Sequence, residues 1–328
     1  MIHTPITRRT LLAGSAAFAL QAQASSTTGN WPARTIRLVV PGPAGSGMDI
    51  FGRLLAVNLQ EALRQTVVVD NKPGANSLIG TDNVAKAQAD GYTLLLSPSS
   101  AIAINPIIQA KMPYDTEKDL LPVAQVGSAG VLLVAHPSTG FNNLGDLVRY
   151  VKAQPNKLVY GSWGSGSTGH LAMEGIKAHY GLVMEHVPFK GVAPLVTDLL
   201  GNNISVGFTD IASPVPHIRA GKLNALGCTG SARGPALPEV STLFEQGFRF
   251  DMNGWYGVFA PAGTPPEVVQ RLNHEINRIL ATDDVIQKFA LQNMAKPPIK
   301  SVEQFATTVK QDVAVWQNLA KVAKLRVD

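Results

Sequence analysis

Two loops rich in glycine and serine are the places where this sequence could bind an anion. The first covers residues 41–49 (PGPAGSGMD) and the second covers residues 161–170 (GSWGSGSTGH). Each loop follows a short apolar run and precedes a stretch with helical spacing. Backbone N–H groups at the start of a helix, with the positive end of the helix dipole, bind negative groups without a charged side chain. The two loops therefore predict one acidic ligand held from two sides.

Part of the second loop also matches a different binding motif. Residues 164–169 fit the Gly-x-Gly-x-x-Gly fingerprint of dinucleotide-binding proteins, and Glu185 lies roughly where an acid that binds ribose is wanted. The many serine and threonine hydroxyls of this loop suit a carboxylate equally well. An exported oxidoreductase or hydrolase that uses residues 164–169 is therefore an alternative to a non-catalytic binding protein.

Other catalytic and metal-binding motifs do not fit the chain. The first loop lacks the Lys-Ser/Thr ending of a P-loop, and no Gly-x-Ser-x-Gly elbow occurs. The seven histidines show no spacing typical of zinc ligands, and the lone Cys228 is interpreted as a small buried hydrophobe. We therefore predict no cofactor and no metal.

The first 24 residues have the features of a cleaved export signal. Residues 7–12 (TRRTLL) form a twin-arginine pattern, residues 11–20 are apolar, and residues 22–24 (AQA) give a small-x-small cleavage site. The sequence thus predicts a periplasmic protein that begins at Ser25. The net charge is +5, only 16% of residues are charged, and no basic-aromatic cluster occurs, which argues against a nucleic-acid partner.

Short apolar runs alternate with helical spacing along the rest of the chain. Runs at residues 36–40, 67–69 and 92–96 predict strands, and Asp49 is predicted to cap the helix that follows the first loop. Parallel sheets place ligands at the carboxyl ends of their strands. Two further loops at that edge therefore add three residues to the predicted site: Ala75, Asn76 and Ser99.

The same rhythm starts again after residue 137, which predicts an α/β fold with two lobes, each built on a doubly wound sheet. We place the first lobe at residues 30–132 and 254–328, and the second at residues 133–253. The length agrees, because single cores stop growing near ~250–300 residues. Strands at residues 131–134 and 256–260 are predicted to cross between the lobes.

Several side chains near the loops have two interpretations each. Trp163 is either a pocket wall or part of the core, and Lys190 is either a solvated turn residue or the one cation of the pocket. Asp210 either caps a helix or accepts a hydrogen bond from an amino or hydroxyl group of the ligand. His170 either contacts the ligand or packs and caps the second helix, and Tyr256 is expected in the core.

These residues also carry a family resemblance over essentially the whole chain after residue 24. The chain resembles the periplasmic solute-binding receptors of tripartite tricarboxylate transporters, also called the Bordetella uptake gene (Bug) family. The resemblance rests on the order and spacing of the following segments rather than on one motif: residues 40–50, 71–75, 90–94, 112–115, 160–172, 188–191, 221–223, 254–255 and 260–265.

The resemblance implies a two-lobed "Venus flytrap" of the type II periplasmic-binding-protein class. It also implies a monomer without enzymatic activity that receives a small carboxylate solute, and as partners a large and a small integral membrane subunit. A receptor that serves signalling instead of uptake is a further alternative. Carried over to this sequence, the family's carboxylate-binding loop positions are Ala44, Gly45, Ser46, Met48, Asp49, Gly161, Ser162, Ser165, Ser167, Thr168 and His170.

The sequence departs from the family pattern at positions near the pocket. Residues 44–46 (AGS) stand where the family usually has Pro-Gly-Gly, and Phe189 replaces a usual tyrosine. Trp163 is bulkier than is common and favours a ligand with an apolar or aromatic part. The identity of the solute therefore cannot be copied from a relative.

Overall fold

The computed structural model describes residues 31–248 and 253–323, so the predicted export signal lies outside the described residues. Two five-stranded sheets form the frame of this part of the chain. Among its helices, none combines the length and the apolar character that a membrane crossing needs.

The first sheet has the strand order β2-β1-β3-β10-β4. Its strands are β1 (Ile36–Val40), β2 (Val67–Asn71), β3 (Thr93–Pro98), β4 (Leu120–Ala129) and β10 (Gly254–Pro261). β1 pairs in parallel with β2 and β3, whereas β10 runs antiparallel between β3 and β4. The strands are short and rich in β-branched and leucine residues, which suits strands buried on both faces.

The second sheet has the strand order β7-β6-β8-β5-β9. Its strands are β5 (Leu132–Ala135), β6 (Val159–Ser162), β7 (Glu185–Pro188), β8 (Val206–Thr209) and β9 (Asn224–Cys228). β6 is parallel to β7 and β8, and β5 is antiparallel to β8 and β9. The two sheets therefore share one plan, three parallel strands followed by two strands that include an antiparallel one.

Helices cover both sheets. They are α1 (Gly47–Leu63), α2 (Leu78–Ala85), α3 (Asn105–Ile108), α4 (Leu144–Ala153), α5 (Thr168–Tyr180), α6 (Val192–Leu200), α7 (Val215–Arg219), α8 (Pro266–Leu280), α9 (Asp283–Leu291) and α10 (Val302–Ala323). A π-helical turn, Ser100–Ile104, precedes α3. α8 shows the usual amphipathic logic: Val268, Leu272, Ile276 and Ile279 recur at helical spacing and are all buried in the first core.

The predicted two-lobed α/β fold is confirmed. We call the first sheet with its helices the first lobe, and the second sheet with its helices the second lobe. The predicted lobe boundaries at residues 132, 133, 253 and 254 stay a prediction. The prediction that the strands at residues 131–134 and 256–260 cross between the lobes is wrong. The first of them, β5, lies wholly in the second sheet, and the other, β10, lies wholly in the first. The chain crosses instead between β4 and β5, and again between β9 and β10.

The first crossing, at Gly130, lies beside Thr229, the residue that follows β9. Val131 N–H donates to the Thr229 hydroxyl at 2.9 Å, and Thr229 N–H donates to the Val131 carbonyl at 3.0 Å. A Cβ atom on Gly130 would lie only 2.0 Å from the Thr229 carbonyl oxygen. Glycine at residue 130 therefore lets the first crossing approach the end of β9.

A methyl group at this point should destabilise the protein. We expect Gly130→Ala to lower the free energy of unfolding by about 1–3 kcal/mol, the usual cost of overpacking, because the obstructing atom is backbone and cannot rotate away. Urea unfolding followed by circular dichroism measures this loss. Gly201→Ala is the matched control, since its Cβ would meet its nearest atom at 3.4 Å, an ordinary contact. Equal stability of the two variants would contradict the prediction.

Candidate functional site

A cavity of about 80 Å³ lies between the two lobes, at the edge where the predicted loops meet. Residues from both lobes form its wall. The predicted site residues in the wall are Ser46, Met48, Asn76, Ser99, Trp163, Thr168, Lys190 and Asp210. The structure thus brings together side chains from six separate segments of the chain.

The other predicted residues do not line this cavity. Ala44, Gly45 and Ala75 are exposed on their loops. The remaining ones stand behind the wall and support it: Asp49, Gly161, Ser162, Ser165, Ser167 and His170. The wall also contains residues that were not predicted as site residues, among them Ser77, Ser100, Gly191, Trp255, Tyr256 and Met294. Ser77, Ser100 and Trp255 border segments that were singled out from the sequence, whereas nothing local distinguishes Met294.

The first loop satisfies most of its own N–H groups. The hydroxyl of Ser46 accepts from Asp49 N–H at 3.3 Å, and the Asp49 carboxylate accepts from Gly45 N–H at 3.0 Å. Ser46, and not Asp49, is therefore the N-cap of α1, which corrects the predicted cap. The pattern differs from a capping box by one residue, because Asp49 accepts from the N–H of Gly45 and not from that of the N-cap Ser46. Burial acts to raise the pKa of Asp49, but hydrogen bonds from Arg53, Gly45 N–H and Asn71 hold that pKa below its usual value.

A carboxylate from the other lobe accepts from the first N–H group of α1. Gly47 N–H donates to Asp210 Oδ2 at 2.7 Å and also lies 3.0 Å from the hydroxyl of Ser213. Asp210 is only 5% exposed, and this burial raises its pKa, against four hydrogen bonds that favour the carboxylate. Asp210 Oδ1 accepts from the N–H groups of Ala212 and Ser213, which form a turn before α7, so Asp210 does not cap the helix that follows it. Its contact with a helix N-terminus is the one with Gly47 of α1.

The second loop is held from behind by serine hydroxyls. Ser162 Oγ lies 3.0 Å from the Gly164 carbonyl, accepts from Ser167 Oγ at 3.1 Å, and is 2.7 Å from His186 Nε2. Ser167 is the N-cap of α5 and accepts from His170 N–H. The first N–H groups of the helix, at Thr168 and Gly169, have no intrahelical acceptor. They are the part of this loop that an anion can use.

His170 serves the loop and not the cavity wall. Its Nδ1 accepts from Gly166 N–H at 3.0 Å, so this nitrogen carries no proton. Its ring stacks on the ring of His186, with centroids 4.1 Å apart. Behind the pair, Glu174 accepts from Tyr160 at 2.5 Å and from Lys177 at 2.7 Å. Sequence reasoning found His170 through its place in the loop but missed this network, whose members come from β6, α5 and β7.

Both histidines are kept neutral by their surroundings. Burial lowers the pKa of His170, and burial followed by the charge of His170 lowers the pKa of His186 to about 3. In the unfolded chain a histidine titrates near pH 6.5. Between about pH 6.5 and pH 3 His186 therefore binds a proton in the unfolded state but not in the folded state, so the free energy of unfolding falls as the pH falls.

Removing one histidine should flatten this pH dependence. We expect the free energy of unfolding of His186→Gln to fall less steeply than that of the native chain below pH 6, by up to about 1.4 kcal/mol per pH unit. Urea titrations between pH 4 and pH 7.5 measure both slopes. His274→Gln is the control, because His274 is exposed on α8 of the first lobe, away from the stacked histidines, and the slope of this variant should match the native one. Identical slopes for all three proteins would show that His186 is protonated normally in the folded state.

The cavity wall combines polar groups with large apolar surfaces. The hydroxyl of Ser100 and Oδ1 of Asn76 are buried without a hydrogen-bond partner among the described residues. Asn76 sits in a run of three left-handed residues, Ala75 to Ser77, with φ between 46° and 71°. Such strain concentrates at ligand-binding positions. The apolar part of the wall comes from Met48, Trp163, Ile211, Trp255 and Met294.

The two charged groups of the wall differ in their surroundings. Lys190 is exposed, whereas Asp210 is buried and hydrogen-bonded to backbone and hydroxyl groups. Trp163 fulfils both of its interpretations, because it lines the cavity and packs against the second core. Tyr256, expected in the core, packs against Phe51, with the two ring centroids 5.8 Å apart, and it also lines the cavity.

No metal site is visible among residues 31–248 and 253–323, where no three His, Cys, Asp or Glu side chains come close enough to share an ion. Cys228 is buried, and burial raises the pKa of its thiol to about 11. The thiol is thus protonated at neutral pH, as expected of a small buried hydrophobe.

Comparison with known proteins decides the family. Residues 51–325 match the family model described as "Tripartite tricarboxylate transporter family receptor". The chain belongs to this family. Protein BugT of Bordetella pertussis is 37% identical over 293 residues, which cover 89% of this chain and 90% of that protein. A protein encoded in the tcbD-tcbE intergenic region of a Pseudomonas strain is 35% identical and covers 96% of this chain and 94% of its own length.

Solved structures of family members superimpose closely. The R. palustris protein Rpa4515, solved with adipate, gives a TM-score of 0.87 at 32% identity and covers 90% of this chain and 99% of that one. MatC of Rhodopseudomonas palustris, solved with malate, gives 0.83 at 28% identity, with 88% and 99% covered. This receptor is therefore a solute-binding protein and not an enzyme, which overturns the alternative of an exported oxidoreductase or hydrolase that uses residues 164–169.

Proposed function

We propose that this receptor binds a small dicarboxylate between its lobes in the periplasm. From there it delivers the solute to the large and small membrane subunits of a tripartite transporter. The observation that carries the proposal is the cavity between the lobes, lined by polar groups from six segments of the chain and by two tryptophans. The adipate and malate in the two related structures support a dicarboxylate as the solute class.

The size of the cavity supports a small solute. A space needs at least about 10–15 Å³ to hold one water molecule, so a cavity of about 80 Å³ takes several water-sized groups. That is the scale of a short organic acid and far below a nucleotide. The lobes must part for entry, because the wall is made from both of them.

The chemistry of the wall supports two ends and an apolar middle for the solute. One carboxylate meets the free N–H groups of Thr168 and Gly169 at the start of α5, within reach of the positive field of that helix. The second accepts from the unpartnered hydroxyl of Ser100 on the first lobe, while Oδ1 of Asn76 is free to accept from a hydroxyl of the solute. Met48, Trp163 and Trp255 cover the methylene groups between them.

Among the described residues of the wall, Lys190 supplies the one positive side chain. The buried carboxylate of Asp210 in the same wall is satisfied by hydrogen bonds from Gly47, Ala212 and Ser213, so Lys190 is available to a carboxylate of the solute. N–H groups and hydroxyls supply the other contacts of the solute. Export by the signal at residues 1–24 accounts for the periplasmic location.

Calorimetric titration of the protein without its export signal tests the solute class. We expect adipate or malate to bind with a Kd near the micromolar range, equivalent to ~8 kcal/mol. Hexanoate, which has the length of adipate but one carboxylate, should bind at least about tenfold more weakly, since one charged hydrogen-bonded end is lost. 1,6-Diaminohexane is the control for length without negative charge. Failure of every carboxylate to bind, in titration and in thermal shift, would falsify the proposed solute class.

Lys190 can be tested against a matched lysine. We expect Lys190→Ala to weaken binding of the preferred acid by about tenfold, because one charge-assisted contact is lost. Lys157→Ala should leave binding unchanged, since Lys157 precedes β6 at the end of the strand opposite the second loop. Fluorescence of Trp163 and Trp255 in the wall gives the readout. Equal affinities of the two variants would place Lys190 outside the binding contacts.

A further inference from the structure

Asp210 joins the two lobes directly. It follows β8 of the second lobe, and its Oδ2 atom accepts from the N–H of Gly47, the first residue of α1 in the first lobe, at 2.7 Å. The residues after it, Ile211 and Ala212, are buried in the same hydrophobic cluster as Met48 and Phe51 of α1. The contact is therefore part of a packed junction between the lobes.

The second lobe orients Asp210 by itself. Oδ1 accepts from Ala212 N–H at 3.1 Å and from Ser213 N–H at 2.7 Å, and Oδ2 accepts from the Ser213 hydroxyl at 2.9 Å. All three donors come from the turn that follows Asp210. The carboxylate is thus held in place before the lobes meet, and closure adds one N–H group at the positive end of α1.

We propose that Asp210 is a built-in latch, an internal carboxylate that occupies the N-terminus of α1 and stabilises the closed arrangement of the lobes. Asp210 acts as a positioning residue, because its effect on the solute runs through α1. The latch goes beyond the proposed function, since it forms with or without a solute. The latch also explains why the first loop leaves fewer free N–H groups for a solute than its sequence predicts.

The sequence at Gly47 fits this role. A Cβ atom there would lie 2.7 Å from Asp210 Oδ2 and 3.2 Å from the Ala212 methyl. Gly47 is the first helical residue and does not have a left-handed φ, so alanine suits its backbone. Glycine at this position is required by the approach of Asp210, and not by the helix.

Amide hydrogen exchange at Gly47, followed by NMR in the protein without solute, tests the latch. In Asp210→Asn, Oδ1 can still accept from Ala212 and Ser213, while the new NH₂ group faces the Gly47 N–H as donor against donor. We expect exchange at Gly47 to become at least about tenfold faster, because a hydrogen bond to a charged group is lost. Ser46 N–H and Asp49 N–H, bonded within their own loop, are internal references and should not change.

Two further variants separate a latch from a purely local effect. Asp198→Asn changes another carboxylate of the second lobe, whose bonded partner Asn203 lies in the same lobe, and should leave exchange at Gly47 unchanged. Gly47→Ala should speed dissociation of adipate, measured by stopped-flow fluorescence, by about tenfold with little change in association. Combining Gly47→Ala with Asp210→Asn should add little further, since both remove one contact.

The outcomes are distinct for the two proposals. Exchange at Gly47 that is as fast in the native protein as in Asp210→Asn would overturn the latch, whatever binds. Additive effects of Gly47→Ala and Asp210→Asn on adipate dissociation would also overturn it, because Asp210 would then act by touching the solute. If no dicarboxylate binds, the proposed solute class fails, while the exchange experiment still decides the latch.

Discussion

The backbone N–H groups at the start of α1 and α5 must find acceptors, and much of the cleft is arranged around that requirement. Four N–H groups at the beginning of every helix lack an intrahelical partner. In α1 the acceptors are Ser46 and, from the opposite lobe, Asp210, while Asp49 closes the loop before the helix. In α5 the N-cap Ser167 accepts from the N–H of His170, and the N–H groups of Thr168 and Gly169 remain for a ligand.

This unequal use of two similar loops gives the lobes different tasks. At the end of the first loop, the N-terminus of α1 is bonded to the protein's own Asp210 carboxylate, so the dipole of α1 contributes to holding the lobes together. The second loop is stiffened from behind by Ser162, Ser167 and the stacked histidines. Because both histidines are neutral, that support adds no positive charge behind the loop. The loop thus keeps its anion-binding character in its backbone, where it is fixed in direction.

The small number of charged side chains in the cavity wall follows from the same arrangement. Among the described residues, the cavity wall contains one buried carboxylate and one exposed lysine, and the rest of its polar surface is uncharged. A wall of this kind holds an acid without the large desolvation cost that several buried cations would bring. The first crossing, at Gly130, lies in the same wall and connects its two halves.

Elements with strong local patterns were predictable from the amino-acid sequence. β1 was predicted at its observed bounds because a buried run of β-branched residues is a local signal, and α8 because its apolar stripe repeats at helical spacing. β4 was missed, since Pro122, Gln125 and Ser128 break the apolar pattern, and its strand character comes from pairing with β10. The two anion-binding loops were found for the same local reason.

Which of the loop residues reach the cavity depends on how the two lobes pack against each other. Asp210 meets Gly47 across 163 positions of sequence, and no periodicity or motif links two residues so far apart. The cap at Ser46, the network behind the second loop and the presence of Met294 in the wall likewise depend on how the lobes pack. Local side-chain order fixes helices and strands, whereas the choice of acceptor for a helix N-terminus is made by whatever group the fold brings there.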